Sequence, residues 1–155
     1  MSPQGGKKGE FKLIVIVGPT ASGKSDMAIS LAQKCNSEIV SADSRQVYRG
    51  MNIGTSKVTK AQQRLVRHHL LDVADPRRDF SVVRYRRLAE KVIRDIAKRG
   101  RIPIIVGGTG FYIDSLVFGL SLPPVPPDKK LRAQLEKQSA EQLFAKLRKL
   151  DPRRA

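Results

Sequence analysis

Along this chain short unbroken apolar runs alternate with longer stretches in which apolar residues recur every three or four positions. The run Leu13 to Val17, closed by Gly18-Pro19, reads as a strand buried on both faces, the kind that sits in the middle of a parallel sheet. Met27, Ala28, Leu31 and Ala32 then recur at helical spacing up to Cys35, and Glu38 to Ala42 reads as a second short strand that stops at Asp43. Strand, helix and strand in that order predict a βαβ unit. Lys60 to His68 favours helix, and Leu70 to Val73 reads as a short strand broken by Asp75-Pro76. Val82 to Arg99 is the longest helical pattern, with Leu88, Val92, Ile96 and Arg99 on one side, Ala89, Ile93 and Ala97 beside them, and Gly100 at the stop. Ile102 to Val106 tolerates Pro103 near its start and empties into Gly107-Gly108-Thr109-Gly110, after which Phe111 to Phe118 predicts one more helix. The whole pattern predicts an α/β fold with a doubly wound parallel sheet over residues 11–121.

The texture changes at Leu122-Pro123-Pro124-Val125-Pro126-Pro127, which continues neither a helix nor a central strand and reads as a hinge over 122–127. Beyond it, Asp128 to Gln138 and Glu141 to Leu150 are two amphipathic patterns too short to build a core alone, so 128–155 is expected to be part of a helical domain. Residues 1–10 are polar and Gly-rich and are expected to be disordered. Leu13 to Val17 is too short for a signal segment or a membrane span, which predicts a soluble protein with no membrane partner.

Charge narrows the partners. Thirty Lys and Arg against 14 Asp and Glu give the 155-residue chain a net charge of +16, a field that favours polyanions, nucleic acid first. Plain solvation of a basic surface is the bland alternative. Cys35 is the single cysteine, so neither a disulfide nor a cysteine zinc site can form within the chain, which fits a reducing cytoplasm.

The segment Gly18-Pro19-Thr20-Ala21-Ser22-Gly23-Lys24-Ser25 matches the phosphate-binding pattern G-x-x-x-x-G-K-[ST] and lies between a strand and a helix, where that chemistry needs it. The glycines let the backbone curl so that N–H groups point at phosphate oxygens. The helix N-terminus adds partial positive charge, Lys24 neutralises a phosphate, and the Ser25 hydroxyl can ligate Mg²⁺. A hydrolytic phosphate loop also wants an acidic residue at the end of a neighbouring strand, but Ile102 to Val106 ends in glycines. Asp43 and Asp72 remain, and Asp43, at the carboxyl end of a strand, is placed as a general base facing the loop.

Five segments now make a resemblance specific: GPTASGKS at 18–25, SADSRQVYRGMNIG at 41–54 with Thr55-Ser56-Lys57, HHLLDVADP at 68–76, Phe80-Ser81 with Tyr85 and Ala89, and IVGGTGFY at 105–112. In this order and spacing the chain resembles the tRNA dimethylallyltransferases to about Leu122. The resemblance implies a P-loop NTPase-like core that transfers a dimethylallyl group from dimethylallyl diphosphate to N6 of the adenosine 3′-adjacent to the anticodon, with Mg²⁺. It implies that Thr20 to Ser25 hold the diphosphate, with Thr20, Lys24 and Asp43 catalytic, and that Asp43, Ser44, Arg45, Gln46 and Thr109 touch the tRNA anticodon stem-loop. From the residues alone, Arg45 could equally be a solvated loop charge and Thr109 a cap for the next helix. Tyr48 and Phe80 read as core, and His68-His69 as structural. The far end resembles the start of the family's inserted helical domain and stops inside it, which leaves catalysis by this chain alone open. A monomer is expected. A P-loop small-molecule kinase, a prenyltransferase of free adenine nucleotides and a basic nucleic-acid-binding module are the competing readings, and affinity for ATP against dimethylallyl diphosphate separates the first from the family.

Overall fold

A computed structural model describes residues 12–119 and 128–155, so the expected disordered N-terminus and the expected hinge lie outside the described residues. By its contacts the chain divides into two compact units, Met1–Ser121 and Leu122–Ala155.

Among the described residues the first unit is built on four parallel strands, β1 (Ile14–Val17), β2 (Ile39–Ser41), β3 (His68–His69) and β4 (Ile104–Gly107), in the order β1-β4-β2-β3. Side chains alternate across the sheet, so β1, β2 and β4 each feed two cores. On one face Ile39, Ile104 and Val106 pack with Ala28, Ile29 and Ala32 of α1 (Lys24–Lys34). On the other, Val40, Ala42 and Ile105 pack with Tyr85, Ala89, Ile93 and Ile96 of α3 (Val82–Lys98) and with Tyr112 and Ile113 of α4 (Gly110–Val117). Tyr85 and Tyr112 stack there with ring centroids 3.9 Å apart and planes 12° apart, and the Tyr85 hydroxyl donates to the Ser41 carbonyl at 3.1 Å. Helices on both faces of a parallel sheet are the α/β arrangement that the pattern predicted.

Three details differ from the sequence reading. The strand after Asp43 is β3 at His68–His69 rather than Leu70 to Val73; Leu70 and Asp72 have φ of 63° and 57°, which no strand residue adopts, and the helix before it, α2 (Lys60–Leu65), stops earlier. β1 is not central among the described residues. It pairs with β4 alone and Val17 is 60% exposed, because a continuous β-branched run reads the same whether one neighbour or two fill its sides. Met27 faces solvent and Ile29 joins Ala28 and Ala32 in the core, so the buried line of α1 is shifted from the one the spacing suggested.

At the amino ends of the strands Glu38 is buried, its carboxylate only 5% exposed. Oε1 accepts from Arg99 at 2.5 Å and Arg101 at 3.1 Å, and His69 Nε2 lies 2.7 Å from Oε2. Burial alone would lift this carboxyl, but His69 and Arg99 outweigh it and hold its pKa below 4.5. A buried carboxylate so fully paired joins β2, β3 and the α3–β4 turn in one knot.

The second unit carries α5 (Lys129–Leu135), N-capped by Asp128, and α6 (Ala140–Leu150), opened by a capping box of Ser139 and Gln142. No residue of either helix is buried, and Phe144 and Leu150 are exposed. Over the described residues no helix is long and apolar enough to cross a membrane.

Candidate active site at the carboxyl ends of the strands

The glycine-rich loop leaves β1 at Gly18 and turns into α1 through two residues with positive φ, Ala21 at 63° and Gly23 at 77°. A non-glycine residue in that conformation costs of order 1–3 kcal/mol and persists where the surroundings fix it. Here the reward is visible in the backbone: among the described residues no main-chain carbonyl takes the N–H groups of Thr20 through Asp26. They are left to a ligand at the positive end of α1. Lys24 meanwhile folds back, its ammonium donating to the Pro19 carbonyl and lying 3.4 Å from the Ser22 hydroxyl.

Across from the loop, β2 ends at Ser41 and the chain turns at Asp43. Asp43 Oδ1 accepts from the N–H of Arg45 at 2.8 Å and of Gln46 at 3.2 Å, which fixes the carboxylate and leaves Oδ2 without a protein partner among the described residues. Thr109 does not cap α4 with its side chain; its Oγ1 accepts from Ser44 N at 2.9 Å and lies 3.3 Å from Ser44 Oγ, while Thr109 N donates to the Ala42 carbonyl at 3.1 Å. The alternative reading of Thr109 as a helix cap is therefore corrected: it clamps the Asp43 turn to the end of β4. That clamp needs close backbones. A Cβ on Gly107 would fall 2.1 Å from the Ala42 carbonyl oxygen, so only glycine fits where β2 and β4 meet.

Thr20, Ala21, Lys24, Ser25, Asp43 and Gln46 line one cavity of about 120 Å³, several times the roughly 10–15 Å³ that one water needs. Ser22 and Gly23 face an adjoining cleft, while Gly18 and Pro19 form the back of the loop and line neither. Ser44, Arg45 and Thr109 are not part of the lining; Arg45 is exposed and Ser44 and Thr109 sit behind the turn. Asp72, the other candidate base, is spent on Lys57 at 2.6 Å and lies away from the cavity.

The cavity has walls that sequence reasoning did not assign. Thr55, Ser56 and Val58 face the glycine-rich loop, and His68 stands beside Ile39 on the α1 face of the sheet. His68 is held below its ordinary pKa by burial, which outweighs the opposing hydrogen bond with the Val66 carbonyl, and neighbouring His69 adds a smaller push in the same direction as burial. The motif Thr55-Ser56-Lys57 was visible as a segment, but nothing in it signalled a wall.

A family model described as IPP transferase matches residues 46–155. The chain belongs to that family. The tRNA dimethylallyltransferase of Roseiflexus sp. (strain RS-1) is 54% identical over 144 residues, 90% of this chain and 47% of that protein. That of Thermosynechococcus vestitus is 50% identical, over 93% and 46%. Among solved structures, the full-length tRNA isopentenylpyrophosphate transferase of Bacillus halodurans matches with a TM-score of 0.72 at 42% identity, over 93% of this chain and 49% of that one. A eukaryotic dimethylallyltransferase acting on tRNA matches with a TM-score of 0.78 at 34% identity, over 92% and 36%. The chain thus spans about half the length of the curated relatives it matches.

Proposed function

We propose that this IPP transferase chain carries the catalytic core for moving a dimethylallyl group from dimethylallyl diphosphate to N6 of the tRNA adenosine 3′-adjacent to the anticodon, on a P-loop NTPase-like core. The observation that carries this is one cavity with the free N–H groups of the phosphate loop and Lys24 on one side and the half-free carboxylate of Asp43 on the other. A nucleotide hydrolase would want a carboxylate placed to hold metal and water; a group transfer wants a leaving-group cradle and a base across from it.

The chemistry follows from that opposition. Adenine N6 attacks the allylic carbon, forming a C–N bond as the C–O bond breaks and its electron pair leaves with the diphosphate. The loop N–H groups, Lys24 and the Thr20 hydroxyl stabilise the charge growing there. The N6 proton, acidic only as the new bond forms, passes to Asp43. Mg²⁺ would be held by Ser25 and by diphosphate oxygens. No group of three or more His, Cys, Asp or Glu gathers among the described residues, and one protein oxygen suits an ion that keeps phosphate and water ligands. When bound it would neutralise part of the diphosphate charge. Ser44, Arg45 and Gln46 of the Asp43 turn, with Thr109 behind it, are assigned to the tRNA, and the net charge of +16 draws the anticodon stem-loop in.

Mass spectrometry of tRNA incubated with the protein, dimethylallyl diphosphate and Mg²⁺ should show N6-dimethylallyladenosine beside the anticodon. Transfer of phosphate from ATP to a small acceptor, with no prenylated adenosine, would put the chain among the kinases instead.

A further inference from the structure

The loop that walls the cavity has almost nothing apolar to hold it. Between Arg49 and Ser56 the large apolar side chains are Met51 and Ile53, 41% and 96% exposed. What fixes this loop is polar: within it the Thr55 hydroxyl donates to the Met51 carbonyl at 2.6 Å and Ser56 N to the Ile53 carbonyl at 3.1 Å, and the ties to the rest of the fold sit at its two ends. Gln46 Nε2 donates to the carbonyls of Thr55 at 3.2 Å and Ser56 at 3.4 Å, and Lys57, its side chain 3% exposed, donates to the Tyr48 carbonyl and to Asp72 Oδ1, both at 2.6 Å.

Asp72 is itself built into a strut. Its N–H donates to the Gln46 carbonyl at 3.2 Å, its carbonyl accepts from Arg49 Nε at 3.0 Å, and a parallel bridge joins Tyr48 to Ala74 two residues on. The backbone at Leu70 and Asp72 takes positive φ to present these groups. One ammonium therefore closes the loop at both ends: it ties Tyr48, two residues from Gln46, to the residue that follows Ser56. Burying an ammonium is costly unless it is paired and fully hydrogen-bonded, and an apolar residue of similar volume would brace the fold as well or better.

We propose that Lys57 and Asp72 are a positioning pair that holds the wall of Thr55, Ser56 and Val58 against the organic part of a prenyl diphosphate seated on the phosphate loop. This rests on the functional reading above and deepens it. With its diphosphate on the N–H groups of residues 20–26, the prenyl group must occupy the remainder of the cavity, which this wall bounds. Inorganic pyrophosphate needs the loop and Lys24 but not the wall. If freeing the loop leaves the wall in place a tenth of the time, prenyl diphosphate affinity falls about tenfold while pyrophosphate affinity holds.

Calorimetric titration of the chain with inorganic pyrophosphate and with dimethylallyl diphosphate tests this on the wild type, Lys57→Met and Lys57→Met/Asp72→Asn. The single variant leaves Asp72 unpaired and is expected to melt lower. The double variant has no orphan charge, and asparagine tolerates the positive φ at 72, so most of the melting temperature returns. In that double variant pyrophosphate should bind as in the wild type and dimethylallyl diphosphate about tenfold more weakly. Recovery of wild-type affinity for both ligands would make the pair a brace for the fold and overturn the proposal, as would equal weakening of both. Wild-type protein that binds pyrophosphate but gains nothing from the prenyl group would sink the functional reading, and the proposal with it, before any variant is compared.

Discussion

The two ends of the parallel sheet are built by opposite rules. At the amino ends of the strands the polar groups are spent: Glu38 is buried and meets His69, Arg99 and Arg101 within 3.1 Å. At the carboxyl ends the chain leaves groups unspent, with loop N–H groups that find no backbone acceptor and one Asp43 oxygen without a protein partner among the described residues. Neighbours in β3 show the divide within two residues, since His69 turns to Glu38 and His68 to the cavity. A fold can hold unsatisfied, strained groups at one end of a sheet because the other is knotted.

The sharpest way to break that comparison is Asp43→Asn, which keeps the shape and removes the proposed base. On intact tRNA with dimethylallyl diphosphate, turnover should fall by about a hundredfold to ten-thousandfold while diphosphate affinity stays close to wild type. Near-normal turnover would remove Asp43 from the chemistry, and Asp72, committed to Lys57 and away from the cavity, would not take its place.

Lys24→Ala tests the cradle on the other side of the cavity. Charged hydrogen bonds contribute about 1.5–3 kcal/mol, so pyrophosphate affinity measured by calorimetry should drop by about a hundredfold with little change in melting temperature. The mildness of the stability effect matters, because Lys24 is only half-buried and its partners, Pro19 and Ser22, are on its own loop. A large loss of stability would mean that the lysine holds the loop rather than the ligand.

Gly107→Ala sharpens the comparison from the structural side, since it adds one methyl where the site is most crowded. The new Cβ would meet the Ala42 carbonyl oxygen and carbon at 2.1 and 2.4 Å, and backbone cannot swing aside as a side chain can. Overpacking of this kind costs typically 1–3 kcal/mol, so about 2 kcal/mol should be lost in denaturant unfolding, with the Asp43 turn displaced as well. An alanine variant of wild-type stability would show that β2 and β4 are not so closely joined.

How far all this could be read from the residues depends on how local each feature is. The glycine-rich loop between β1 and α1, and α3, were legible because eight consecutive residues and one helical period carry them. Asp43 was legible as the residue after a strand. The wall of Thr55, Ser56 and Val58 was not, because its position depends on Lys57 reaching Asp72 across 15 residues, and no spacing rule joins them. Glu38 finds its arginines 61 and 63 residues away, so the knot at the other end was equally hidden. A two-residue strand such as β3 has no period to detect. Threonine before a helix usually caps it, which made that role a fair reading of Thr109, and tertiary contact with Ser44 took precedence.

Acid titration separates the two ends with the smallest effect of the set. Glu38 has a folded-state pKa held below 4.5, so its stabilising contribution is complete above that value and is lost as the pH falls through the lower folded one. His68 is likewise held below 6.5, chiefly by burial; the unfolded chain takes up its proton first, so stability starts to decline once the pH drops below 6.5. Thermal melts from pH 8 downward should therefore show a loss from the cavity end first and then one from the knot at lower pH. Glu38→Gln replaces a charged acceptor with a neutral one among two arginines and a histidine, and should cost about 1.5 kcal/mol at neutral pH. It should also abolish the second, lower limb while leaving the first in place. Were the limb below pH 4.5 unchanged in Glu38→Gln, the acid sensitivity would belong to other carboxylates, and the knot would be a packing feature rather than an electrostatic one.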